Sequence, residues 1–212
     1  MTNYLGIDPG LSGGFVNIVD NQICWKLAMP TIEVTTEMDG RKTEIDRDAV
    51  YSYLSIFPTD TYAVIEKQHP VRKQDIERTC TTCKNYGILL MALRKIPTIE
   101  VSAHEWQSYF GIVPVTQQSE GKTTKEQALC IAQALYPDVD FRKSGRARKA
   151  HDGIVDAALI ATYCVAVSKV FKTLSSIVNA GVDGLVKPLG ATRKQKVGHG
   201  VGKDRRKNRV NE

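Results

Sequence analysis

The chain has 212 residues, is 42% hydrophobic and 25% charged, and carries a formal net charge of +6, enough length for one sizeable core. No run approaches the roughly 18 apolar residues a membrane span needs, and Met1-Thr2-Asn3 leads straight into a strand pattern without signal or transit features. Five cysteines, an odd number without framework spacing, argue for a reducing compartment, so the expectation is a soluble cytoplasmic protein with no membrane partner.

Residues 3–8, 14–19 and 22–28 read as strands joined by Asp8-Pro9-Gly10-Leu11-Ser12-Gly13-Gly14 and by Asp20-Asn21, a three-stranded meander. Residues 30–46 are polar and aperiodic, which predicts a loop. A helix follows over about 46–56, closed by Pro58. Tyr62-Ala63-Val64-Ile65-Glu66 is a continuous apolar run of the kind found in a doubly covered central strand. A long helix is expected over about 74–95, a strand near 98–102, and helices over 103–110, 123–135 and about 151–170. This order predicts an α/β domain with a mixed sheet over residues 1–170 and a C-terminal extension over 171–212.

The positive charge is concentrated at the end of the chain. Residues 187–212 hold nine Lys or Arg against two acids, whereas residues 1–186 hold 20 against 21. Rich in Gly and nearly free of large apolar groups, this tail predicts a mobile basic arm suited to a polyanion. A second cluster, Arg142-Lys143-Ser144-Gly145-Arg146-Ala147-Arg148-Lys149, has five bases and no acid. By itself it reads as a solvated loop, but it runs directly into an acid-bearing apolar segment, where phosphate contact gains weight.

That segment, His151 to Ala161, contains Asp152 and Asp156; Asp8 and Glu66 each close an apolar strand. Burying ionised carboxylates costs several kcal/mol or more unless cations or donors meet them. Asp8 and Glu66 sit at carboxyl ends of strands, the edge where open α/β sheets build sites. Asp152 and Asp156 are four apart, hence on one helical face. Oxygen-only donors favour Mg²⁺ or Mn²⁺ over Zn²⁺, and two such ions could clamp an in-line phosphoryl displacement. Each acid has a plainer explanation: Asp8 as a turn residue, Glu66 paired with Lys67 or Arg72, Asp152 as a helix N-cap. Asp156, enclosed by Ile154, Val155, Ala157, Ala158 and Leu159, is harder to dismiss in this way.

Gly6-Ile7-Asp8-Pro9-Gly10, Val64-Ile65-Glu66 and His151-Asp152-Gly153-Ile154-Val155-Asp156-Ala157-Ala158, in that order, resemble the signature of RuvC-type Holliday junction resolvases, especially their phage-like branch. Asn85-Tyr86-Gly87-Ile88-Leu89, the Val101-to-Trp106 segment and Lys122-Thr123-Thr124-Lys125-Glu126 add to the resemblance, which spans roughly residues 3–165. It implies an RNase H-like fold with a mixed five-stranded sheet flanked by helices, a homodimer, and paired nicks across four-way DNA junctions. It further implies two Mg²⁺ ions per site, with Mn²⁺ as a substitute, held by Asp8, Glu66, Asp152 and Asp156, Asp8 bridging both. Many relatives space the last two acids three apart; here they are four apart, so His151 competes with Asp152 for the third position, and Asp152 ranks first. Lys125 would face the scissile phosphate. Gln107 stands where the family often has Lys, so one phosphate interaction is missing or moved to Lys122. His69 could stack on an unpaired base, and Arg72, Lys73, Arg146, Arg148 and Lys149 complete the expected DNA contacts.

A two-fold junction cut on two strands suits a C₂ dimer. Ile76, Cys80, Cys83, Gly87, Leu90 and Arg94 fall at alternating spacings of 4 and 3, a narrow stripe that could form the seam, with Leu93 beside it. This use of Cys80 and Cys83 as packing residues is preferred to half a zinc site or a redox pair. Three other readings compete. A nuclease for flaps, forks and other branched DNA keeps the fold and changes the substrate. A non-catalytic binder of branched DNA would gain nothing from four acids near a phosphate. A sugar-kinase or actin-like ATPase would need further Gly-rich phosphate loops and a second domain.

Overall fold

The computed structural model describes residues 1–36, 40–58, 60–68, 76–114, 116 and 121–185, with the side chains of Thr36 and of residues 169–185 excepted. The chain divides into two units, Met1–Ser175 and Ser176–Glu212, and the fold described below is that of the first. Its centre is a five-stranded sheet built from β1 (Asn3–Asp8), β2 (Gly14–Val19), β3 (Gln22–Ala28), β6 (Thr61–Glu66) and β7 (Thr98–Val101), in the order β3-β2-β1-β6-β7. β2 is antiparallel to β1 and β3, whereas β1, β6 and β7 run parallel. The mixed five-stranded sheet flanked by helices is thus the one expected of an RNase H-like fold.

Alternation along the central strands sorts their side chains to two faces. Leu5, Ile7, Ala63 and Ile65 enter one core with Val50 and Leu54 of α1 (Arg47–Ser55) and Leu89 of α2 (Ile76–Ala92). Val64, Tyr4 and Tyr62 face the other, which is filled by Trp106 of α3 (Ala103–Tyr109), Ala128 and Ala132 of α4 (Thr124–Leu135), and Ile154 to Ala161 of α5 (Asp152–Leu185). Both faces of β1 and β6 are covered, which is why their sequences are near-continuous apolar runs.

Helix starts follow local chemistry. Asp46 caps α1 by accepting from the Ala49 amide, and Ser102 with Glu105 and Thr123 with Glu126 form capping boxes at α3 and α4. α2 ends three residues before the expected Lys95, in a turn ahead of Pro97; residues 74 and 75 lie outside the described residues.

Three expectations need correction. Residues 30–46 are no loop: β4 (Thr31–Thr36) and β5 (Gly40–Ile45) pair antiparallel as a separate two-stranded sheet. Its β-branched residues favour extension; Ile32 and Val34 alternate with polar residues along β4, but they pair with Glu44 and Lys42 of β5, whose own sequence shows no apolar alternation. Lys42 to Glu77 (3.2 Å) and Lys84 to Glu44 (2.7 Å) connect it to α2. The last helix continues past residue 170 to Leu185, since no proline interrupts the sequence before Pro188. Leu93 is 2% exposed in the core and does not flank the α2 stripe. Most of the stripe points away from the core: Ile76 is 83% exposed, and Cys80, Cys83, Gly87 and Arg94 are exposed with it, whereas Leu90 is partly buried and packs against the core. Among the described residues, no helix is long and apolar enough to cross a membrane.

Candidate active site

β1 and β6 pair in parallel with Ile7 opposite Ile65, so Asp8 and Glu66, one residue further, emerge side by side at the carboxyl edge. Their parity matches Gly6 and Val64, which directs both toward the α5 face of the sheet. Asp8 Oδ1 accepts from the Gly10 amide at 3.2 Å in the following turn. Glu66 Oε2 accepts from Trp106 Nε1 at 2.8 Å, and Trp106 is itself only 1% exposed. Glu66 is therefore held by a rigid, buried donor.

The helix acids come within range because α5 packs on β1 without intervening side chains. A Cβ on Gly6 would collide with the Ala157 carbonyl and the Ala161 amide, and one on Gly153 with the Ser12 carbonyl and Gly13. Glycine at both positions lets the first turns of α5 rest on β1 and on the β1–β2 turn. The α5 cap is His151, not Asp152: its Nδ1 accepts from the Ile154 amide at 3.3 Å, leaving the Asp152 carboxylate available. From α4, Lys125 reaches across to Asp152 Oδ2 at 2.5 Å.

Electrostatics bind the five groups into one cluster. Burial pushes the Asp156 carboxyl up to about 7, and the neighbouring charges of Asp8, Glu66 and Asp152 add to the rise while Lys125 opposes it. Asp8 is raised by burial against the pull of the Gly10 amide and Lys125. Glu66 is raised by burial and by Asp8, against the Trp106 hydrogen bond. Lys125 is raised, first by its bond to Asp152 and then by the other acids. Negative charge thus exceeds what the protein itself neutralises, in an oxygen-only donor set whose chemistry fits a hard divalent cation. In this conformation no three His, Cys, Asp or Glu side chains among the described residues converge closely enough to hold an ion.

Comparison with known proteins gives no matching family model and no matching curated protein. Among solved structures the chain is similar to Thermus thermophilus RuvC. Against that protein in complex with Holliday junction substrate, identity is 15% and the TM-score 0.44, covering 76% of this chain and 90% of the other. Against a second Thermus thermophilus RuvC structure, the values are 12% and 0.41, with 78% and 95% covered. Likeness at this level assigns no substrate and no residue roles.

Of the other expected residues, Lys122 is exposed just before the α4 cap, and Arg146, Arg148 and Lys149 belong to the loop preceding α5, where all three are exposed. Arg142 shapes that loop: it pairs with Asp140 at 2.9 Å and donates to the carbonyls of Gly145 and Ala147. His69, Arg72 and Lys73 lie outside the described residues, as does the basic tail from residue 186. Sequence reasoning missed what Trp106 does. The signal was available, because a tryptophan buried in a core needs a partner for its N–H, but its partner lies 40 positions away. The cap formed by His151 was missed as well, since an aspartate beside it is the commoner choice.

Proposed function

We propose that this protein is a divalent-metal-dependent endonuclease that resolves four-way DNA junctions by paired symmetric nicks, as the resemblance to RuvC-type resolvases of the phage-like branch implies. The observation that supports this reading is that Asp8 and Glu66 at the carboxyl edge of the sheet and Asp152 on α5 all act electrostatically on Asp156, with Lys125 paired to Asp152 and three of the carboxyls raised. Asp8, Glu66, Asp152 and Asp156 are the residues that would hold two Mg²⁺ ions, or Mn²⁺ in their place. Bound there, the metal supplies an activated water and neutralises charge developing on the phosphate. The chain's own residues do the rest. Trp106 orients Glu66, the Gly10 amide orients Asp8, and the Lys125 ammonium lies where it can meet a phosphate oxygen once drawn from Asp152. Arg146, Arg148, Lys149 and Lys122 approach the backbone of the arms, as do His69, Arg72, Lys73 and the tail. Two copies join through the exposed α2 stripe, so that each acts on one strand.

The test is cleavage of a labelled four-way junction, beside a flap and a linear duplex, with Mg²⁺, for the wild type, Asp8→Asn and Asp156→Asn. Symmetric nicks confined to the junction, reduced at least about 1,000-fold in both variants, are expected. Equal cutting of flaps would move the substrate to branched DNA in general. Tight junction binding without cutting under Mg²⁺ or Mn²⁺ would overturn the catalytic reading.

A further inference from the structure

The outer face of α2 carries groups that its own domain does not use. Ile76 is 83% exposed, and Cys80 and Cys83 are free thiols on the surface. Gly87 follows on the same stripe, and a Cβ there would meet nothing within 4 Å among the described residues. Glycine weakens a helix interior, and here no close approach inside the domain requires it; approach of a second chain would. Beside Gly87 a groove of about 480 Å³ opens between α1 and α2, with Tyr51, Ile88 and Met91 in its walls.

The spacing of these positions is symmetric. Ile76, Cys80, Cys83 and Gly87 are separated by 4, 3 and 4 residues. A second α2 running antiparallel, about a two-fold axis between Thr81 and Thr82, therefore sets Cys80 against the second copy's Cys83 and Ile76 against the second copy's Gly87. A large side chain then enters the space that the glycine leaves beside the groove. Parallel pairing would set Gly87 against itself and leave a gap. Side chains three apart on a helix have Cβ atoms about 5–6 Å apart, so both sulfurs can reach one ion at a Zn–S distance of about 2.3 Å. Within one chain no three potential ligands converge among the described residues: two thiols are half of a tetrahedral site, and the axis supplies the other half.

We propose that Cys80 and Cys83 of two copies together hold one structural Zn²⁺ on the two-fold axis of an antiparallel α2 pair. Soft thiolates select Zn²⁺, whereas the oxygen donors of the carboxylate cluster suit Mg²⁺. Each of the four thiols releases its proton to solvent as its sulfur binds the metal, so the site assembles by ligand exchange without oxidation. The inference rests on the reading that two copies join through α2, and it is independent of the chemistry at the carboxylates.

The experiment uses the full chain, stripped of metal, reduced with a phosphine and titrated with Zn²⁺ or Co²⁺. Metal content, mass by sedimentation and the visible spectrum of the Co²⁺ form are measured. About one Zn²⁺ per two chains is expected, with the dimer tightened about 100-fold or more. Co²⁺ should give the strong sulfur-to-metal band of a tetrahedral thiolate site, which oxygen ligands do not produce, and saturating Mg²⁺ should leave it unchanged. Cys80→Ser and Cys83→Ser should each abolish the band and the effect of zinc on mass. Gly87→Leu has open space within the single chain, so it should stay folded by circular dichroism yet neither dimerise nor show the band. A dimer that forms equally well without zinc and binds none at the thiols overturns the site and leaves the α2 seam standing. One zinc per chain, or a Co²⁺ band that survives both serine variants, overturns the site as well. A chain that stays monomeric at every zinc concentration overturns the site and the seam together.

Discussion

The indole N–H of Trp106 has Glu66 as its acceptor, and the carboxylate is thereby turned toward α5 instead of toward solvent. Trp106→Phe keeps an aromatic ring and removes the donor. The fold should lose about 1 kcal/mol, while nicking should fall about 10- to 100-fold, as when a partner orienting a metal ligand is removed. A Mg²⁺ titration of the nicking rate, beside a urea melt, separates these effects, and a loss of stability without a change in rate would deny Trp106 its positioning role. Asp156 offers a second residue-level test. Its carboxyl is held at about 7 in the folded protein against an ordinary value of 3.8. Between these values the folded state keeps a proton that the unfolded state releases, so stability falls as pH rises from about 4 to about 7. Metal-free protein should lose on the order of 4 kcal/mol over that window, and the raised carboxyls of Asp8 and Glu66 act in the same direction. Thermal melts in EDTA measure this. Asp156→Asn should flatten the fall, and Mg²⁺ should restore stability at the alkaline end; a pH-independent melting curve in EDTA would contradict the charge crowding.

Among the elements, α5 governs the site because two of the acids ride on its first turns, and its height above the sheet is set by Gly6 and Gly153. Gly6→Ala would drive a methyl group into the backbone at Ala157 and Ala161. Helix backbone cannot yield as a flexible side chain can, so the expected cost is about 3 kcal/mol or more, read from chemical denaturation. Any folded fraction should cut poorly, as α5 and its acids are pushed from Asp8 and Glu66. Wild-type stability and activity in this variant would show that the close approach is unimportant. The β4–β5 hairpin teaches a different lesson. Its strands pair only with each other, and the short apolar alternation of Ile32 and Val34 in β4 has no counterpart in the charged β5, so the pattern is too brief to expose a hairpin in sequence. The central strands and α3, α4 and α5 were legible because their apolar periods answer to packed faces and their caps to local hydrogen bonds.

For the whole molecule, the excess positive charge of residues 187–212 is expected to act through counterion release. Removing those residues should weaken junction binding and flatten the slope of log K against log salt by about 0.9 for each phosphate that the tail no longer neutralises. Binding isotherms at several salt concentrations measure it, and an unchanged slope would refute an electrostatic arm. The sequence by itself determined the strand and helix order of the central sheet, the carboxyl-edge positions of Asp8 and Glu66 and the one-face spacing of Asp152 and Asp156, because period and strand ends are local properties of the chain. Only the tertiary structure decided that Trp106 grips Glu66 and that Lys125 reaches Asp152. Each of those depends on which residue from a distant segment arrives within about 3 Å, and no local pattern encodes that meeting.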